Sequence, residues 1–84
     1  SEEQVLSWAN ASPVGLAAYV HTANIDRALR MSERLEAGMV GINSAAISNP
    51  AAPFGGVKHS GLGREGGSEG IAEYLETIYV GIPI

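Results

Sequence analysis

The side chains with the most chemical reach sit between Pro53 and Gly67, in the stretch PFGGVKHSGLGREGG. Inside it, Gly61-Leu62-Gly63-Arg64-Glu65-Gly66 has the spacing G-x-G-x-x-G. At that spacing glycines let a backbone turn approach a pyrophosphate at the opening of a helix. Such a turn needs a strand before it, a helix after it, and an acidic residue about 20 positions on, at the end of a second strand. Val57-Lys58-His59-Ser60, preceded by two glycines, does not read as a strand, and only 18 residues follow Gly66. A Walker-type loop fails too, because no Lys-Ser/Thr pair follows a second glycine. The match is read as a coincidence within a glycine-studded ribbon, and no cofactor is expected to bind this chain alone.

Glycine lets a ribbon pass close to another surface and take up positive φ. A ribbon with Phe54 near its start can line a cleft or pack on a neighbouring domain. Lys58, His59, Arg64 and Glu65 are expected to orient it or to face solvent. A histidine can act as an acid or base, but the sequence places no partner beside His59. His21 and His59 lack the spacing of metal ligands, and no metal site is expected. The chain has no cysteine, so it offers neither a disulfide nor a thiolate nucleophile.

The 84 residues carry a formal net charge of -4 with five basic side chains. Nucleic-acid binding needs a concentrated positive footprint, which is not here. Arg27, Arg30 and Arg34 share a helical stripe, with Asp26 and Glu33 among them at pairing distance, so that face is expected to neutralise itself. No run reaches the ~18 apolar residues of a membrane span, and no charged-then-apolar leader opens the chain. A cytoplasmic protein is the expectation.

The elements that must position the ribbon read as an α/β arrangement. Ser1 and Gln4 have the spacing of a capping box, and Val5, Trp8 and Ala9 recur at helical spacing until Pro13 ends the helix. Gly15 to Thr22 reads as a strand. Asn24 caps a second helix with an apolar stripe of Ile25, Ala28, Leu29 and Leu35, closed by Gly38. Met39 to Asn43 reads as a buried strand. Strand, helix and strand give a βαβ unit with parallel strands. An irregular stretch from about Ser44 to Gly63 follows, of a length usually associated with function. Then come a short helix from Ser68 to Leu75 and a β-branched, aromatic strand from Thr77 to Ile84. That last strand has no neighbour within the chain, and an unpaired apolar strand invites pairing with another sheet edge. The chain is therefore expected to belong to something larger, or to give this strand to another subunit.

AAPFGGVKHSGLGREGG, at 51–67, together with LEAGMVGINSAAIS, at 35–48, closely resembles the C-terminal end of aldehyde dehydrogenases, nearest to the succinate-semialdehyde subfamily. The likeness covers essentially the whole chain. It implies that residues 1–76 are the C-terminal portion of a catalytic domain and 77–84 an oligomerisation strand contacting a neighbouring subunit of a homo-oligomer. It also implies an NAD- or NADP-dependent enzyme whose cysteine nucleophile, assisting glutamate and nucleotide domain lie outside this sequence. The family's cysteine attacks the aldehyde, a hydride passes to the nicotinamide, and the resulting thioester is hydrolysed.

By the same resemblance Phe54 matches the aromatic that packs beside the aldehyde, and Ser48 a loop serine that binds the substrate's distal carboxylate. Asn43, Gly55 and Gly56 would support the pocket loop. For Phe54 the competing reading is plain core packing. For Ser48 it is a turn-capping hydroxyl before Asn49-Pro50. As a whole, the contrasting possibility is a catalytically inactive truncated paralogue that acts as an interaction module.

Overall fold

The computed structural model describes residues 1–83. Helix α1 (Glu2–Asn10) begins as its capping box dictates, with the Gln4 amide donating to Ser1 Oγ at 3.2 Å. Strand β1 (Val14–Gly15) is followed after one residue by β2 (Ala17–Val20). Helix α2 (Ile25–Arg34) is capped by Asn24, whose Oδ1 accepts from the Arg27 amide at 2.9 Å. Strand β3 (Met39–Ile42) pairs in parallel with β2, Ala17 opposite Met39 through Val20 opposite Ile42. The βαβ unit with parallel strands is thus present.

The expected strand from Gly15 to Thr22 breaks at Leu16, because the chain changes partners there. Val14 and Gly15 pair antiparallel with β4 (Val57–Lys58), and the Gly15 amide donates to Ser60 Oγ at 2.9 Å. From the Gly15 carbonyl onward the chain turns to the segment entering β3 (Gly38 N to Gly15 O and Met39 N to Leu16 O, each 3.0 Å). The ribbon therefore contains a short strand at Val57–Lys58, where the sequence reads as none. It lacks the local pattern of a strand because its ladder partner, β1, lies far away in the sequence, pairing Val14 with Lys58 and Gly15 with Val57.

The end of α2 also differs from expectation. The helix stops at Arg34 rather than at Gly38, and Leu35 is already extended. Asn10 caps it from another helix: its Nδ2 donates to Arg34 O at 2.8 Å and its Oδ1 accepts from the Glu36 amide at 2.9 Å. Gly38 is used instead where the αβ turn crosses the ribbon. Helix α3 runs over Gly67–Ala72, with Tyr74 and Leu75 in turn-like bonds beyond it. This is earlier and shorter than the expected span.

Among the described residues, the buried apolar side chains are Leu6 on α1 and Ala28 and Met31 on α2. Of the residues at helical apolar spacing, Val5 and Trp8 on α1 and Ile25 and Leu29 on α2 are exposed in this chain, whereas Ala28 is buried. The arginine stripe is neutralised, but by α1 rather than by Asp26 and Glu33. Arg27 and Arg30 both hold Glu2, at 3.2 and 2.9 Å, and Arg34 holds Glu3 through both carboxylate oxygens. The i,i+4 geometry on α2 lost to a neighbouring helix that presents two carboxylates side by side.

Thr77 to Pro83 carries no helix or ladder and is exposed along its length. Ile84, the end of the expected strand, lies outside the described residues. The radius of gyration is 16.9 Å, against about 12 Å for a compact domain of this length. A chain with so small a core and so long a tail presents apolar surface that a complete globular domain would cover.

Candidate functional site

The ribbon is held in place by backbone contacts that only glycine permits. A Cβ on Gly38 would overlap the Gly55 carbonyl. One on Gly56 would come 2.5 Å from Ser60 Cβ and 2.9 Å from Gly15 O. One on Gly55 would meet Gly63 O at 2.6 Å. Three segments distant in sequence thus meet main chain to main chain around Gly55 and Gly56.

Polar side chains complete the clamp. Lys58, in left-handed conformation at φ 57, donates from Nζ to Asn10 O at 2.8 Å and Ser12 O at 3.1 Å, the last carbonyls around the end of α1. Its ammonium also lies 3.6 Å from Glu36. A cation suits a helix C-terminus because the unpaired carbonyls there carry negative charge. Arg64 turns inward, and its Nη1 donates to Gly56 O at 2.9 Å and Gly63 O at 2.7 Å. Lys58 and Arg64 therefore orient the ribbon, whereas His59 is exposed.

Phe54 sits at the base of the ribbon, where its amide donates to Glu65 O at 2.6 Å and its carbonyl accepts from the Glu65 amide at 2.8 Å. Phe54 is 41% exposed and is not among the buried apolar residues. It borders an open cleft of about 340 Å³ whose other walls are Ser48, Asn49, Pro50, Glu65 and Gly66. Ser48 and Phe54, singled out separately in the sequence, thus face the same space. Asn49 forms the expected turn after Ser48, its Oδ1 accepting from the Ala51 amide at 2.8 Å.

Asn43 lies at the end of β3 with φ 54. Its Oδ1 accepts from the Thr22 amide at 2.8 Å, and its Nδ2 donates to Thr22 O at 2.9 Å. One side chain thereby ties together the ends of the two parallel strands and redirects the chain toward Ser48. Just before that loop, Gly41 is packed by Ile47 and Tyr19, whose atoms would lie 2.7 and 2.9 Å from a Cβ.

The cleft offers a hydroxyl and an aromatic face, and its charged member is acidic, Glu65. Arg27, Arg30 and Arg34 are engaged by Glu2 and Glu3, and Arg64 by carbonyls. An anion bound at Ser48 needs its balancing cation from outside these residues. Within the Gly61–Gly66 turn, two of the glycines are closely packed by acceptor atoms. The Glu73 carboxylate would lie 2.9 Å from a Cβ on Gly63, and the carbonyls of Ala52 and Pro50 crowd Gly66 at 3.0 and 3.1 Å.

Several residues of this framework escaped the sequence reading. Asn10, Ser60 and Gly38 act on partners more than 15 residues away, and no local pattern distinguishes an Asn that ends its own helix from one that caps another.

Comparison with known proteins places this geometry. A family model described as "Aldehyde dehydrogenase family" matches residues 1–80. The succinate-semialdehyde dehydrogenase of Paenarthrobacter nicotinovorans is 61% identical over 82 residues, covering 98% of this chain and 18% of that protein. A 3-sulfolactaldehyde dehydrogenase of Pseudomonas putida is 60% identical over 80 residues, 95% of this chain and 16% of its own length. The crystal structure of succinate-semialdehyde dehydrogenase from Burkholderia pseudomallei superposes with a TM-score of 0.85 at 57% identity, covering 88% of this chain and 15% of that one. The chain spans between 16% and 18% of the length of these two curated relatives.

Proposed function

The chain belongs to the aldehyde dehydrogenase family, and from that premise we propose that it is the C-terminal part of an NAD(P)-dependent enzyme oxidising a short aldehyde that carries a distal anion, succinate semialdehyde foremost. The overall change is aldehyde plus water plus NAD(P)⁺ to carboxylic acid plus NAD(P)H plus a proton. In that reaction the nicotinamide supplies the acceptor for hydride. The nucleophile comes from elsewhere in the enzyme, since this segment holds no cysteine.

The observation that carries the reading is the shared cleft of Ser48 and Phe54. An aromatic wall excludes water from the reacting carbon. A serine hydroxyl donates a charge-assisted hydrogen bond to an anionic group at the far end of the substrate. Two relatives at about the same identity are named for aldehydes ending in a carboxylate and in a sulfonate, which supports a distal anion as the shared feature. Asn43, Gly55 and Gly56 hold the two walls in position.

Within the same reading, residues 1–76 complete the catalytic domain and Thr77–Ile84 adds a strand to a neighbouring subunit of a homo-oligomer. The exposure of Ile78, Tyr79, Val80 and Ile82 supports this, because such a segment is stable only when paired and covered.

The test is a substrate comparison on the complete enzyme with NAD⁺ and NADP⁺. Succinate semialdehyde is expected to give a higher kcat/KM than butanal, its uncharged four-carbon counterpart, and Phe54→Ala is expected to lower both. Equal turnover of the two aldehydes by the unaltered enzyme would defeat the assignment of a distal anion site.

A further inference from the structure

Gly66 has φ 76 and ψ 168, a combination essentially restricted to glycine, and Gly67 follows at φ 63. The reason for this doubled left-handed backbone lies across the chain, at the Pro50–Ala52 turn. The Gly67 amide donates to Pro50 O at 3.1 Å. A Cβ on Gly66 would press on Ala52 O at 3.0 Å and Pro50 O at 3.1 Å, and one on Gly67 would lie 3.3 Å from both Ala51 O and Pro53 N.

That turn is the link between Ser48 and Phe54. On its Ser48 side it is closed by Asn49, through Ala51 N to Oδ1 at 2.8 Å and Ala52 N to Asn49 O at 3.0 Å. On its Phe54 side it runs into the paired backbone of Phe54 and Glu65. Glu65 immediately precedes Gly66, so one short segment grips both ends of the link. We propose that Gly66 and Gly67 are positioning residues for the substrate cleft, setting the separation between its hydroxyl wall and its aromatic wall. This rests on the reading of Ser48 and Phe54 as pocket residues, and adds to it the element that fixes their spacing.

Gly61 provides the control. It is also left-handed, at φ 108, but nothing lies within 4 Å of a Cβ built on it. A side chain there strains the same ribbon without touching the Pro50–Ala52 turn.

The experiment measures kcat and KM for succinate semialdehyde and butanal in the complete enzyme, unaltered and as Gly66→Ala and Gly61→Ala. Gly66→Ala is expected to raise KM for succinate semialdehyde and to lower its kcat/KM relative to butanal by about tenfold or more, since a misplacement of ~1 Å can cost on the order of 10²-fold. Gly61→Ala is expected to leave that ratio unchanged while lowering the melting temperature. If Gly66→Ala does not fold, Asn49→Ala releases the turn from its other end and is expected to shift the ratio in the same direction. An unshifted ratio in the folded variant, or an equal shift in Gly61→Ala, overturns the inference. Loss of preference between the aldehydes in the unaltered enzyme instead sinks the pocket assignment on which it stands.

Discussion

Gly38 lies against Gly55 with no room for a side chain between them. A Cβ on Gly38 would overlap the Gly55 carbonyl oxygen and come 2.7 Å from the Cα of Gly56. Both neighbours are backbone, so neither can rotate away. Gly38→Ala is therefore expected to destabilise the enzyme by about 1–3 kcal/mol, the range for overpacked interiors, and to loosen the base of the ribbon. Thermal unfolding of the complete enzyme reads this directly. An unchanged midpoint would show that the ribbon does not pack on the αβ turn.

This contact also marks how far the sequence could be read. The elements with local signatures were legible: the Ser1–Gln4 cap, the Asn24 cap, and the alternation of strand and helix that gives parallel β2 and β3. The family was legible from residues 35–48 and 51–67, because a long motif of glycines at fixed offsets is rarely met by chance. What stayed hidden depended on distant partners. A glycine at 38 reads as a helix stop because that is the commonest local use, whereas its use here is set by a segment 17 residues on. The apolar spacing of α1 and α2 was legible, but not which of its members the fold buries. Val5, Trp8, Ile25 and Leu29 are exposed, while Leu6, Ala28 and Met31 are buried. Ser48 and Phe54 were found by their motif, but their shared cleft needed the fold.

Acid should weaken the contact between α1 and α2. The Arg30 guanidinium bonds the Glu2 carboxylate and, with help from Arg27 and against some desolvation, holds it down at about 2, from an ordinary 4.5. Glu3 is lowered as well, chiefly by its hydrogen bonds to Arg34. A carboxylate with a depressed folded pKa stabilises the fold above the unfolded value, and loses that contribution as protons reach it. The loss from Glu2 therefore falls between pH 4.5 and about pH 2. Over that interval the unfolding midpoint of the unaltered protein is expected to drop more steeply than that of Glu2→Gln. Because the pairs are exposed, the difference should shrink in high salt. Parallel slopes at low salt would mean that the arginines do not hold Glu2 in solution.

Asn43 combines a left-handed backbone with two hydrogen bonds to Thr22, and two substitutions separate these roles. Asn43→Gly keeps the backbone and loses the bonds, at about 0.5–1.5 kcal/mol each and nearer the low end for an exposed side chain. Asn43→Ala loses the bonds and, unlike glycine, keeps a Cβ in left-handed geometry with no polar side chain to ease it, at roughly 1–2 kcal/mol relative to glycine. That penalty exceeds the extra unfolded-state freedom of glycine, about 0.4–1 kcal/mol. Stability is therefore expected to fall from the unaltered protein to Asn43→Gly and further to Asn43→Ala. Chemical denaturation of the three proteins checks the order, and a glycine variant less stable than the alanine one would remove the backbone argument.

Ser48 is the residue on which substrate choice should turn. Ser48 borders the cleft together with Phe54, and the cleft's acidic member, Glu65, gives an incoming anion no attraction. On the proposed function, with the balancing cation outside this segment, the serine would contribute one hydrogen bond to a charged acceptor, worth about 1.5–3 kcal/mol. Ser48→Ala is thus expected to lower kcat/KM for succinate semialdehyde by roughly 10- to 150-fold, at 1.4 kcal/mol per factor of ten. The loss should appear mainly in KM, because the anion lies far from the reacting carbonyl and is held equally in ground and transition states. Butanal has no anion to lose, so its kinetics should hardly change. Ser48→Thr keeps the hydroxyl and should recover part of the loss. Equal effects of Ser48→Ala on both aldehydes would identify the serine as a support of the Asn49 turn and not as a contact to substrate.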